Sequence, residues 1–195
     1  MILNFFGPPG AGKGTQAKFI SKKLNIIHLS TGDVLRDQLD KKTKLSLELI
    51  KTMKSGELVS DDTLNQIVSE RISLKDCNNG FIFDGYPRTL SQAQFIDQYF
   101  LKNNLKFDYL IEFNVNSNSI IERITNRALV ESRVDDSEKT IKTRLRKYNL
   151  ETKPVIDHYK KHHGSIYYTI DGTQEIEQIN SLLLKILKNN EFTSI

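Results

Sequence analysis

The sequence predicts an α/β fold: a five-stranded parallel sheet with helices on both faces and one helical insert. Three observations carry that prediction. Five short apolar runs, ILNFF (2–6), IIHLS (26–30), FIFDG (81–85), YLIEFNV (109–115) and IYYTI (166–170), have strand length and are bounded by Gly, Asp, Asn or Ser. Longer amphipathic stretches separate them, and strands alternating with helices bury both faces of a parallel sheet. The first strand also runs directly into GPPGAGKGTQ (7–16), where four of the chain's 10 glycines and two of its 4 prolines are concentrated.

In chain order, ILNFF is the first strand. The stretch after it has the requirements of a phosphate-binding turn. Backbone N–H groups must point inward at an anion, so glycines at 7, 10, 12 and 14 keep side chains out of the way and permit positive φ. Pro8 and Pro9 stiffen the entry. KGTQAKF then opens a helix whose N-terminal N–H groups and dipole favour negative charge, with Ala17, Ile20 and Leu24 on one face. The pattern is G-x-x-x-x-G-K between a strand and a helix, the context of a P-loop NTPase-type fold. It makes Lys13 a point charge for the outer phosphates. Gly14 stands where a Ser or Thr usually ligates Mg²⁺, with Thr15 following.

Residues 30–59 carry helical patterns and no strand, and read as an insert between the second and third strands. FIFDG ends in Asp84. Ligands of parallel sheets sit at the carboxyl ends of strands, so Asp84 is placed to hold Mg²⁺ directly or through water, or else to cap a turn. Near 136–161, Ile141, Leu145, Tyr148, Thr152, Val155 and Tyr159 follow steps of four and three and form one helical stripe. No internal repeat or low-complexity segment interrupts the chain.

Composition narrows the class. A length of 195 residues suits one compact domain with small inserts. A single cysteine, Cys77, excludes an intramolecular disulfide framework and a four-cysteine zinc site. No run is apolar enough to span a membrane, and the apolar start lacks a basic segment before it; a soluble, cytoplasmic protein is expected. The net charge of +4 suits a nucleic acid, an anionic small substrate, or simply a lysine-rich surface. Of 28 basic residues only 8 are arginine, so each arginine position is informative, because Arg clamps phosphates bidentately and stacks on flat rings. The chain is thus expected to bind a nucleoside triphosphate. GTPase switches, ATPases and kinases share that equipment.

The remaining segments decide among them. LSTGDVLR (29–36), GELVSD (56–61), GFIFDGYPRTLSQAQ (80–94), SRVDDSEKTIKTRL (132–145) and TKPVIDHY (152–159), together with GPPGAGKGTQ, resemble the adenylate kinase family from residue 1 to about 185. The resemblance implies Mg²⁺-dependent, reversible phosphoryl transfer from ATP to AMP, giving two ADP. It implies a core of 1–29, 60–126 and 134–195, an AMP-binding insert of 30–59, and a short lid of 127–133. By position, Gly10, Ala11, Gly12, Lys13, Gly14 and Thr15 would hold the ATP phosphates. Arg123 would stack on the ATP adenine, Arg127 would meet the phosphates, and the backbone of Gln174 would contact the base. Thr31, Arg36, Glu57, Leu58, Val59, Gly85, Tyr86, Pro87, Arg88 and Gln92 would form the AMP site, with Arg36 and Arg88 on its phosphate. Arg133 and Arg144 would close on the transferring group, so that Lys13, Arg88, Arg127, Arg133 and Arg144 form the catalytic set.

Six of the eight arginines fall on these positions, which leaves Arg71 and Arg146. Asp135 and Asp136 would hold arginines, with metal binding the alternative; no histidine shows ligand spacing. The lid is only ALVES (128–132), the short kind, without glycine and without the cysteines of a zinc-bearing lid. A UMP/CMP kinase is the nearest rival, and Thr31 with Gln92 favours AMP over it. A GTP-dependent switch would need N-K-x-D, and NVNSN after the fourth strand does not supply it. A nucleic-acid module would interleave basic and aromatic residues on one face. The expected partners are therefore ATP, AMP and ADP, with no nucleic acid, membrane or zinc, and the family implies a monomer.

Overall fold

In the computed structural model of the protein, the described residues are 1–39, 52, 55, 57–116, 120, 123–124 and 138–189. The strands β1 (Ile2–Phe6), β2 (Ile27–Ser30), β3 (Phe81–Asp84), β4 (Tyr109–Asn114) and β5 (Tyr167–Asp171) form one parallel sheet in the order β2-β3-β1-β4-β5. Each expected run lies on a strand, with ends moved by local chemistry. Ile26 leaves β2 because its N–H donates to Ser21 O (3.1 Å) and so finishes the preceding helix. β3 stops at Asp84 because Gly85 turns to φ +88.

The α-helices among the described residues include α1 (Lys13–Leu24), α2 (Thr31–Leu39), α3 (Asp61–Ile72), α4 (Leu90–Lys102), α5 (Glu138–Lys147), α6 (Lys153–His162) and α7 (Ile176–Asn189). Strand alternation divides the core in two. Ile2, Phe6, Phe81, Phe83 and Leu110 pack with α3, α4 and α6 on one face. Leu3, Phe5, Ile82, Ile111 and Phe113 pack with α1 and α7 on the other. The long stripe expected near 136–161 is buried in two places and is not continuous in backbone: Ile141 and Leu145 pack with Ile120 and Ile124, and Val155 and Tyr159 pack in the cluster against the sheet. Residues Tyr148–Thr152 form a π-helical turn between α5 and α6. Ile141, Thr152, Val155 and Tyr159 are buried, and Leu145 and Tyr148 half-buried.

β1 is central. The chain builds β2 and β3 on one side of it and β4 and β5 on the other, which opens a crevice at the carboxyl edge beside β1. No helix among the described residues is long and apolar enough to cross a membrane.

Leu110 is 0% exposed in β4. Leu110→Ala is expected to cost about 2–5 kcal/mol, the usual range for a large-to-small core change. Urea unfolding, compared with wild type at equal m-value, measures it.

Candidate active site

A cleft of about 750 Å³ opens at that carboxyl edge. Its floor is the turn after β1. Gly12 takes the cap position of α1 at φ 89, and a Cβ there would meet nothing within 4 Å. The glycine is therefore required by the left-handed backbone and not by crowding. Gly12 has no side chain to satisfy the first N–H groups of α1, and the first turn carries no acidic residue. An anion is the natural partner of such a helix start. Lys13 Nζ donates to Gly7 O (2.8 Å) and Pro8 O (2.9 Å), which bends the ammonium back over the turn.

Asp84 stands beside this turn because β3 pairs Asp84 with Phe5 of β1 and with Ser30 of β2. Its Oδ2 would lie 3.3 Å from a Cβ placed on Gly14. Burial alone would push the carboxyl up. The hydrogen bond from His28 (Nε2 to Oδ2, 3.1 Å) and the charges of Lys13, His28 and Arg88 outweigh that and hold it below the usual carboxylate range. Asp84 is thus an ionised, hard oxygen donor next to the glycine-rich turn. That suits Mg²⁺, which binds through one or two carboxylates plus phosphates and water. Among the described residues no group of three or more His, Cys, Asp or Glu side chains converges on a metal position.

Directly after Asp84, Gly85 interlocks with Thr31 and Arg88. Thr31 Oγ1 donates to Gly85 O (3.0 Å), and Arg88 Nε donates to the same carbonyl (2.7 Å). A Cβ on Gly85 would lie 2.7 Å from Arg88 Nη2 and 2.9 Å from Thr31 Oγ1, so only glycine lets both side chains approach. Tyr86 is buried, and its hydroxyl donates to Asn65 Oδ1 (2.7 Å). Thr152, in the π-helical turn, donates to Arg88 O (3.1 Å). Glu57, Leu58 and Val59 line the cleft, and the Glu57 carboxylate meets Lys147 Nζ at 2.9 Å.

Beyond the turn, Arg123 donates to Gly172 O (2.6 Å) and Thr173 O (3.2 Å), and Gln16 Nε2 donates to Ile176 O (3.2 Å). Gln174 lies on that wall. The structure therefore brings residues 10–15, Thr31, Glu57–Val59, Asp84–Arg88, Arg123, Arg144 and Gln174 to one cleft. Gln92 is 1% exposed and does not line the cleft; its amide is engaged by Asp61 and by the backbone N–H of Arg88. Arg36 lies on α2. Arg127, Arg133, Asp135 and Asp136 lie outside the described residues.

Sequence reasoning missed several neighbours. His28 shares a strand face with Ser30, whose partner is Asp84, and that alternation was available to find it. Lys147 follows Arg144 by one helical step of three and also lines the cleft. Thr152 read as a member of the core stripe, because nothing local marks its hydroxyl for Arg88.

The sequence profile described as adenylate kinase matches residues 5–164. The chain is 42% identical over 183 residues to the adenylate kinase of Leptospira biflexa serovar Patoc, covering 94% of this chain and 97% of that protein. It is 41% identical over 207 residues to that of Fusobacterium nucleatum subsp. nucleatum (95% and 97%) and 40% identical over 187 residues to that of Nocardia farcinica (96% and 99%).

Gly85→Ala is expected to displace Arg88 or Thr31 and to strain a backbone at φ +88. A fall in melting temperature with weakened nucleotide binding by calorimetry is the expected result. Wild-type binding in this variant would show that the crowding at Gly85 is relieved without consequence.

Proposed function

From the premise that the chain belongs to the adenylate kinase family, we propose how its residues divide the work of moving a phosphoryl group from ATP to AMP. The chain is a nucleoside monophosphate kinase, and nothing in it favours a UMP/CMP kinase or a GTPase-like switch. One observation carries the division: a single cleft sets an uncapped helix start with Lys13 near Thr31, Gly85 and Arg88, and Asp84 adjoins both groups. Two polyanions that must meet in line need positive charge at both ends and little covalent chemistry.

In this reading the N–H groups of residues 10–15 and Lys13 hold the ATP phosphates. Arg123, with the carbonyl-bearing loop it braces and Gln174, receives the adenine. Thr31, Arg36, residues 57–59 and Gly85–Arg88 take AMP, with Arg88 on its phosphate and the Gln92 amide hydrogen-bonded to the Arg88 backbone. Arg127, Arg133 and Arg144 gather around the transferring group. Asp84 would hold Mg²⁺, directly or through water, and the ion supplies charge neutralisation on the ATP phosphates. No general base is required, because the acceptor is an ionised phosphate. Residues 30–59 act as the AMP insert and 127–133 as a short lid that excludes water, the competing acceptor. Residues 1–29, 60–126 and 134–195 form the core. The protein works as a cytoplasmic monomer on ATP, AMP and ADP, without nucleic acid, membrane or zinc.

A panel of AMP, CMP, UMP, GMP and dAMP with MgATP, read by ADP formation, tests acceptor choice. ADP is expected with AMP, and no comparable turnover with CMP or UMP. Lys13→Met is expected to fold and to lose ~10²–10³ in turnover, the scale of one lost charge-stabilising donor. More than about half of wild-type turnover at saturating substrate would remove Lys13 from that role. Arg88→Lys keeps the charge and loses the planar fork. It is expected to raise KM for AMP much more than KM for ATP. Normal AMP kinetics in the folded variant would refute the assignment of Arg88.

A further inference from the structure

Behind the acceptor end of the cleft, outside its lining, lies a carboxylate that the reaction as described does not use. Asp61 is the first residue of α3, two positions after Val59. Its Oδ1 accepts from Gln92 Nε2 (2.7 Å) and its Oδ2 from Thr89 Oγ1 (2.8 Å). Gln92 Oε1 in turn accepts from the backbone N–H of Arg88 (2.7 Å). A carboxylate only accepts and a backbone N–H only donates. The Gln92 amide between them therefore has one orientation; turned over, it would set oxygen against oxygen and N–H against N–H. Thr89 is the N-cap of α4, and its hydroxyl oxygen accepts from Gln92 N (3.1 Å). One carboxylate thus orients both the amide and the cap that frame Arg88, while Thr152 holds the Arg88 carbonyl from the far side.

We propose that Asp61 is a positioning residue for the acceptor nucleotide. It fixes the Gln92 amide and the Thr89 hydroxyl, and through them the backbone that aims the Arg88 guanidinium, without touching the nucleotide itself. The inference rests on the assignment of Arg88 to the acceptor phosphate. The competing role for Asp61 is simple stabilisation of α3, since an acidic residue in a first helical turn favours the helix whatever its side chain touches. The two roles differ in what they move. A stabiliser changes the melting temperature and leaves the two substrates equally affected, whereas a positioning residue acts on AMP alone.

The experiment is steady-state kinetics with AMP and ATP varied separately, beside melting curves, for wild type, Asp61→Ala, Asp61→Asn and Arg88→Lys. Asp61→Ala is expected to raise KM for AMP by roughly tenfold or more, since small misplacements of a binding group are costly, while KM for ATP stays within about twofold. Asp61→Asn is expected to stay within about threefold of wild type for AMP, because its amide oxygen can still accept from Gln92 and its NH₂ can meet the Thr89 hydroxyl, which also accepts. If Asp61→Ala does not fold, Asp61→Ser carries the same expectation, since it keeps a residue suited to a helix start but cannot span both partners. Unchanged AMP kinetics in folded Asp61→Ala or Asp61→Ser overturns the proposal. So does an equal rise in both KM values, and so does an Asp61→Asn variant as impaired as Asp61→Ala. Arg88→Lys separates the two claims. Normal kinetics there overturns the acceptor-site assignment, whereas a defective Arg88→Lys beside a normal Asp61→Ala overturns only the role given to Asp61.

Discussion

The parallel register that sets Phe5 of β1 and Ser30 of β2 against Asp84 of β3 is the constraint on which the cleft depends. It brings the end of β1, and with it the glycine-rich turn, level with an ionised carboxylate. Slipping β3 by one residue would send Asp84 to the opposite face and Phe83 toward the turn. The register is in turn enforced by the core, because Phe81 and Phe83 belong to one apolar layer and Ile82 to the other. Packing of no catalytic interest therefore decides where the chemistry stands.

Charge at the cleft is arranged by hydrogen bonds to backbone carbonyls as well as by ion pairs. Lys13 is bent onto two carbonyls, Arg88 onto the Gly85 carbonyl, and Arg123 onto the carbonyls of Gly172 and Thr173. Each of these cations is thus oriented in part by backbone carbonyls. Asp84 is the complementary case. Its surroundings overcome the cost of burial and keep it anionic, which a neutral carboxyl in that position would not be.

Much of this was legible in the sequence, for reasons that can be named. All five strands announce themselves as short apolar runs with turn residues at their ends, and the glycines at 7, 10 and 12 take the positive φ that a glycine-rich turn announces. The eight arginines were informative because lysine is the default cation of this chain. What stayed hidden depends on contacts between distant segments. Nothing near Asp61 in sequence announces Gln92, 31 residues away, and nothing near Thr152 announces the carbonyl of Arg88, 64 residues away. The expectation that Gln92 faces a base followed from resemblance alone, and its burial behind Arg88 could not be read from TLSQAQ. The helix stripe of 141–159 illustrates a third case, in which the burial pattern was right while the backbone that produces it was not a plain α-helix.

That π-helical turn at Tyr148–Thr152 separates two demands on one continuous rod. α5 must direct Arg144 and Lys147 into the cleft, and α6 must bury Val155 and Tyr159 against the sheet. Removing one residue from the turn would leave an ordinary helix but rotate its two halves against each other by about 100°. No choice of side chains could repair that error, since the mismatch would be one of phase. The requirement here is arithmetic: the segment between the cleft and the core is specified by how many residues it contains before it is specified by which ones.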